Sequence, residues 1–312
     1  MIIPATPDNI AVVAERLRTG QLVAFPTETV YGLGGDATDS EAVARIFAAK
    51  NRPNFNPLIV HVPDLEIAAQ LGNFTKIARK IAEAFWPGPL SIVVKRQGGC
   101  SVSLLASAGL DTLALRVPAH DTAQAILRDT GRPIAAPSAN ASGKISPTTA
   151  THVQDSIGDV VELIVDAGAC SVGLESTVID CTSEIPIILR PGGITAEQIE
   201  NLVGRVKTDE MDSNKPRSPG MLKSHYAPDA ELRLNATSVD CDEALLAFGQ
   251  QDISGAVIGK NLSAAGNLEE AAANLFSMLR ELDGQAERIA VRPIPELGLG
   301  RAINDRLKRA AA

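Results

Sequence analysis

Aromatic side chains are scarce in this sequence: 3% of its 312 residues, with one Trp, two Tyr and seven Phe. That is little material for the stacking platforms that grip single-stranded nucleic acid. Cationic excess is missing too. The formal net charge is −8, with −5 over residues 1–206 and −3 over 207–312, so neither part is a polybasic binder. No apolar run approaches the ~18–20 residues of a membrane span. The opening residues, MIIPATPDN, carry neither a basic n-region nor an apolar h-region. No secretory leader is expected, and the chain is read as cytoplasmic. The Asn-x-Ser/Thr sites at Asn73, Asn140, Asn235 and Asn261 then stay unglycosylated. Cys100, Cys170, Cys181 and Cys241 include no Cys-x-x-Cys pair, which argues against a zinc knuckle and for buried, reduced thiols. The phosphate-cradling GxxxxGK[ST], a GxGxxG between strand and helix, HExxH and GxSxG are all absent. His61, His120, His152 and His225 lie far apart, and each alone reads as a surface or packing residue.

What is present is a globular balance, 45% hydrophobic and 21% charged. At ~100–200 residues per domain the length suggests two. Thr6-Pro7 reads as a helix cap and first-turn proline, with Ile10, Val13, Ala14 and Leu17 at helical spacing and Gly20 as the stop. Strand patterns fall at 22–25, 58–62, 91–95, 113–117, 134–136, 161–165, 177–180 and 187–189, and helical patterns at 40–49, 74–85, 122–129 and 196–203. Residues 26–36 read as a polar, Gly-rich loop. This mixed order argues an α/β domain over 1–206. Residues 207–228, rich in charge, Ser, Pro and Gly, read as a linker. Over 229–312, strands at 232–234, 255–258 and 288–291 and helices at 242–246, 268–282 and 299–309 suggest a smaller α/β unit, plausible as a parallel sheet.

Acids are missing in informative places. No carboxylate lies between Glu41 and Asp64, where Arg45, Lys50 and Arg52 stand, or between Asp129 and Asp155, where Arg132 and Lys144 stand; Arg190 is the charged residue of 185–196. Acid-free loops with fixed cations suit phosphate, although uneven charge of this kind also arises by chance. The loops around Thr27-Glu28-Thr29, Lys50-Asn51-Arg52, Ser138-Ala139-Asn140, Glu175-Ser176-Thr177 and Arg190-Pro191-Gly192-Gly193 each border an apolar strand. Individually they have ordinary readings, such as threonine-stabilised turns or cations complementing a helix C-terminus. Together they suggest one active-site rim.

PTETVYGLG, KNRPNFNPLIVH, LALRVP, APSANASG, ESTV and LRPGG, in this order and spacing, resemble the threonylcarbamoyl-AMP synthase family, built on the YrdC-like domain. The resemblance runs nearly throughout 1–206. SPGMLKSHYAP at 218–228 resembles the linker of that family's long form, and 229–312 its C-terminal domain, here short. The implied fold is α/β: a YrdC-like twisted, open mixed sheet with flanking helices, plus a small Rossmann-like C-terminal domain. The implied reaction joins L-threonine, bicarbonate and ATP into threonylcarbamoyl-AMP, with release of pyrophosphate, for tRNA threonylcarbamoyladenosine modification. The resemblance implies ATP contacts at Lys50, Arg52, Asn56, Thr112, Ser138, Asn140, Ser146, Arg190 and Tyr226, with Lys50 and Arg52 catalytic. It implies L-threonine contacts at Thr29, His61, Arg116, Ala136 and Ser176. Mg²⁺ is expected to arrive with ATP, with Ser138 and Asn140 as its indirect contacts. The product is expected to pass to a tRNA-modifying transferase, without membrane association or stable tRNA binding by this chain. Arg52 is expected to be an exposed loop cation, and the linker a lid that folds over the nucleotide. Two alternative readings are an RNA-binding module without adenylation activity and an O-carbamoyltransferase domain of the same fold. Net charge and few aromatics oppose the first; the lack of zinc spacing opposes the second.

Overall fold

The computed structural model describes residues 1–53, 55–208, 225–250 and 255–312. Among them, twelve strands form a twisted mixed sheet, and nine helices flank it and a second, four-stranded sheet. In chain order the first unit runs β1 (Ile2–Pro4), α1 (Pro7–Arg18), β2 (Val23–Phe25), β3 (Gly32–Asp36), α2 (Ser40–Lys50), β4 (Ile59–His61), α3 (Leu65–Leu71), β5 (Gly72–Asn73), α4 (Lys76–Phe85) and β6 (Leu90–Arg96). It continues through β7 (Thr112–Arg116), α5 (Asp121–Thr130), β8 (Ile134–Ala135), α6 (Ala150–Ile157), β9 (Leu163–Asp166), β10 (Thr177–Asp180), β11 (Ile187–Arg190), α7 (Ala196–Val203) and β12 (Lys207–Thr208). The sheet order is β1-β9-β2-β3-β8-β4-β7-β6-β10-β11-β12, with β5 paired to β6.

Local chemistry explains the elements next to the site. The Thr6 hydroxyl accepts from Asn9 N at 3.3 Å at the start of α1, and Ile10, Val13, Ala14 and Leu17 are its buried stripe. Asp39 caps α2 by accepting from Glu41 N, and Asn51 ends it in the left-handed region at φ +50°. That reversal turns Arg52 back toward the sheet. β4 runs parallel to β7 with His61 opposite Arg116, so both side chains leave the carboxyl ends of neighbouring strands. β11 is antiparallel to β10, which brings Arg190 opposite Val178 and beside Ser176. Strand direction therefore sets the loops after β2 and β8, with Thr29 and Ser138, at one end of the sheet, and Ser176 and Arg190 at the other, beside His61 and Arg116, so the site spans the strands between them.

The second unit holds β13 (Glu231–Arg233), β14 (Glu243–Ala247), β15 (Gly259–Asn261), α8 (Leu268–Leu282), β16 (Arg288–Val291) and α9 (Leu299–Ala310). Its sheet is parallel throughout, in the order β13-β16-β14-β15. Its core is not closed on itself: Val30, Ile145 and Leu174 of the first unit and Tyr226 join Leu246, Leu275, Phe276 and Ile303 in one apolar cluster. Gly173, at φ +71°, lies against α8, where a Cβ would sit 2.5 Å from the Ala273 backbone. That close approach needs glycine.

Several expectations are corrected. Residues 32–36 form β3 rather than loop, because Gly32–Asp36 pairs antiparallel with β2 and β8 and is wholly buried. The helix expected at 242–246 is strand β14, buried throughout between β15 and β16. The strand expected at 255–258 lies slightly later, at Gly259–Asn261. β1 and α3 were not anticipated. Cys241 is exposed rather than buried, whereas burial pushes the Cys170 and Cys181 thiols up to about 12, which makes them inert.

Candidate active site

Thr29, Arg52, His61, Arg116, Ala136, Ser138, Ser176, Arg190 and Tyr226, nine of the residues singled out by sequence, line one cavity together with Glu175 and His225. The free space between these side chains is about 50 Å³. That holds a water or two; a ligand site of ordinary size is several times larger.

The cavity has a cationic wall. Arg52 donates from Nε to Asn56 O at 3.3 Å and from Nη2 to Pro57 O at 3.1 Å. It is buried rather than the exposed loop cation expected; burial first, and then the neighbouring Arg190, lower its pKa to about 10. Arg190 donates from Nε and Nη2 to Ser176 O, at 3.2 and 2.9 Å, and burial likewise lowers its pKa. Lys50 stands behind this wall rather than in it. Its ammonium donates to Ser138 O at 2.5 Å and to Asn140 O, so it shapes the 138–140 loop. Burial, then Arg52, holds its pKa well below the usual lysine value.

The opposite wall is set by strands β4 and β7. Arg116 Nη2 lies 2.8 Å from Glu28 Oε1, both groups buried, as an ion pair without a directed hydrogen bond. Neither Glu28 oxygen has a hydrogen-bond partner among the described residues. His61 Nδ1 is also buried and unpartnered, and burial, then Arg116, lowers its pKa to about 3, so the ring is neutral. Thr29 Oγ1 meets Thr27 Oγ1 at 2.8 Å, and Ser176 Oγ meets Ser91 Oγ at 2.8 Å. Buried polar atoms without partners are uncommon in folded proteins, and their concentration here marks a ligand site.

The other expected residues form the layer behind the cavity. Asn56 is fully buried with both amide atoms unpartnered, next to Arg52. Thr112 begins β7; the register of β4 on β7, extended two residues back from Ile59 and Ala114, sets it opposite Pro57. Ser146 donates to Glu175 Oε1 at 2.5 Å. Asn140 Nδ2 donates to Ala141 O and Lys144 O. The donor set around Ser138 and Asn140 does not suit a metal held by the protein. Asn140 Oδ1 lies 3.5 Å from the Lys50 ammonium, and among the described residues no group of three or more His, Cys, Asp or Glu could hold an ion.

Glu28 and Glu175, expected as members of the polar rim loops, flank and line the cavity as charged groups; His225, expected as a surface or packing residue, lines it too, and no sequence feature marks Arg306. The linker's Ser-Pro-Gly, 218–220, lies outside the described residues. Its last residues do reach the cavity: Tyr226 is fully buried, held at φ +66°, stacked on Phe276 at 5.5 Å and tilted on His225 at 4.0 Å. A left-handed backbone is strained for a bulky residue, so these ring contacts are what hold it.

The chain matches the protein family described as Telomere recombination over residues 15–192, and the family described as Threonylcarbamoyl-AMP synthase, C-terminal domain, over residues 194–312. It is 41% identical to the threonylcarbamoyl-AMP synthase of Bacillus subtilis (strain 168), covering 97% of this chain and 93% of that one. It is likewise 41% identical to that of Pyrococcus abyssi, covering 97% and 94%. A crystal structure of P. abyssi Sua5 complexed with L-threonine superposes with a TM-score of 0.91 at 36% identity, covering 100% of this chain and 97% of that one. Cavity, fold and relatives agree, and the chain belongs to the threonylcarbamoyl-AMP synthase family.

Proposed function

We propose that this cavity converts L-threonine, bicarbonate and ATP into threonylcarbamoyl-AMP and pyrophosphate. The observation that carries the reading is the juxtaposition of two unlike walls. Arg52 and Arg190 offer buried cations to a triphosphate, and Glu28 with Arg116 offers opposite charges to an amino-acid zwitterion. Arg116 suits the carboxylate, Glu28 the ammonium, and the neutral His61 with Thr29 the hydroxyl. A P. abyssi relative of the same fold, complexed with L-threonine, supports an L-threonine site in this chain.

The chemistry needs positioning more than proton transfer. The amine of threonine and bicarbonate combine with loss of water to a carbamate. A carbamate oxygen then attacks the α-phosphorus, the bond to the β-phosphate oxygen breaks, and pyrophosphate leaves with its charge. The nucleophile is already anionic, so no strong base is required at that step. Arg52 and Arg190 stabilise the charge that develops on the phosphates. Mg²⁺ enters with ATP as part of the substrate. Lys50 and Asn140 keep the 138–140 loop in place for the nucleotide, Ser146 and Asn56 stand next to it, and Thr112 supports the Pro57 turn.

Among the described residues no helix is long and apolar enough to cross a membrane. A cytoplasmic site, where all three substrates are available, suits the reaction, with the adenylate passed on to a tRNA-modifying threonylcarbamoyl transferase. Pyrophosphate release should require ATP, L-threonine and bicarbonate together. Equal release with L-serine, or release without any amino acid, would overturn the reading.

A further inference from the structure

Glu175 is an anomaly in a site for phosphate. It lines the cavity beside Arg52 and Arg190, and it is ionised: burial would raise its pKa, but Arg306 and Arg190 outweigh that and hold it at about 2. An ionised carboxylate here would repel a triphosphate unless its charge were cancelled. The cancelling group comes from the other unit. Arg306, on α9 and fully buried, donates from Nε to Glu175 Oε2 at 2.8 Å across 131 residues of sequence.

The contact belongs to a chain of alternating charges. Ser146 donates to Glu175, Arg306 Nη1 donates to Asp305 Oδ2 at 2.7 Å, and Arg309 Nε donates to Asp305 Oδ1 at 3.0 Å. Arg309 O accepts from His225 N at 3.1 Å, and the Arg306 guanidinium lies 5.3 Å from the centre of the Tyr226 ring. One turn of α9 thus holds both the carboxylate that orients Ser146 and the two linker residues that enter the cavity. Arg306 Nη2 is buried without a hydrogen-bond partner among the described residues.

We infer that Arg306 is a positioning residue of the nucleotide site, through which the C-terminal unit neutralises Glu175 and so keeps Ser146 in place. The inference rests on the reading that this cavity takes ATP. It gives the small second unit a direct part in the reaction: without it, the Glu175 carboxylate keeps Arg190 as a neighbouring charge but loses the guanidinium hydrogen-bonded to it.

The test uses the full chain and steady-state pyrophosphate release. Arg306→Met should raise the KM for ATP by about tenfold or more while moving the KM for L-threonine by less than about threefold. Glu175→Gln on that background removes the stranded charge, and its amide oxygen still accepts from Ser146. The double variant should return the KM for ATP to within about threefold of wild type. A folded Arg306→Met with unchanged KM for ATP, or a double variant no better than the single, overturns the inference. If the single variant does not fold, the double variant, which lacks both charges, decides: ATP bound within about threefold of wild type upholds the inference, and loss of ATP binding in a folded double variant overturns it. A wild-type chain without ATP-dependent turnover would instead sink the proposed function, and this inference with it.

Discussion

Arg52 and Arg190 are both buried; burial and then Arg190 lower the pKa of Arg52 to about 10, and burial lowers that of Arg190. Such a pair favours an anion over the empty state, and it costs the fold something when left alone. Arg52→Ala should therefore lose turnover by about 100-fold or more, with no fall in melting temperature. Near-normal turnover, or a marked loss of stability, would contradict this placement. His61 and His225 respond to pH through the fold. Burial lowers both to about 3, so below the unfolded value of 6.5 the unfolded chain takes up protons that the native chain refuses. Stability should fall from about pH 6.5 downward, by up to about 1.4 kcal/mol per pH unit for each ring. Glu175, lowered to about 2, adds to the loss below about pH 4.5. Denaturant unfolding between pH 7 and pH 5 measures the slope, and His61→Asn should make it shallower. At this scale much of the site was legible. Cations in acid-free windows and hydroxyls beside strands mark Arg52, Arg190, Thr29 and Ser176 as candidates. Arg306 was not, because 131 residues separate it from Glu175 and no local pattern signals that pairing. His225 was passed over because a lone histidine carries no spacing signal.

Loops reach the cavity only because their neighbours leave room. A Cβ on Gly192 would lie 2.3 Å from Glu175 O and 2.4 Å from Thr177 N, so the 189–193 turn packs backbone to backbone against the ESTV loop. Gly192→Ala must push Glu175 and Ser176 away. The expected result is a loss of about 1–3 kcal/mol of stability, and a larger relative loss of activity than of stability. A variant with wild-type kinetics would show that this backing is dispensable. The elements most readable in sequence were those with strong caps and periodicity, α1 above all, where Thr6, Pro7 and the 10-13-14-17 stripe agree. The segments misread were those decided by tertiary pairing. Glu243–Ala247 has helix-forming residues, but it is buried between two parallel strands, and Gly32–Asp36 has loop composition but a place inside the large sheet. Propensity yields to burial at both.

Val30, Ile145 and Leu174 of the first unit close the core of the second, and Glu175 joins its charge network, so the two units are coupled at the site. Family and fold class were legible from six motifs in order; the way the second unit closes on the first was not, since it depends on side chains meeting across the whole chain. Ending the chain after residue 206 would remove His225, Tyr226 and Arg306 and uncover Val30, Ile145 and Leu174, each worth about 1.5–3 kcal/mol when buried. The shortened chain should be less stable and catalytically weak; full activity would reduce the second unit to a passive attachment. The central claim, that one cavity joins threonine, bicarbonate and the α-phosphate of ATP, is tested most directly by mass spectrometry of the product made from bicarbonate labelled with heavy carbon. The expected product is a threonylcarbamoyl adenylate carrying that label in its carbamoyl carbon, formed in step with pyrophosphate. An adenylate without the label, or ATP cleavage to ADP and phosphate, would contradict it.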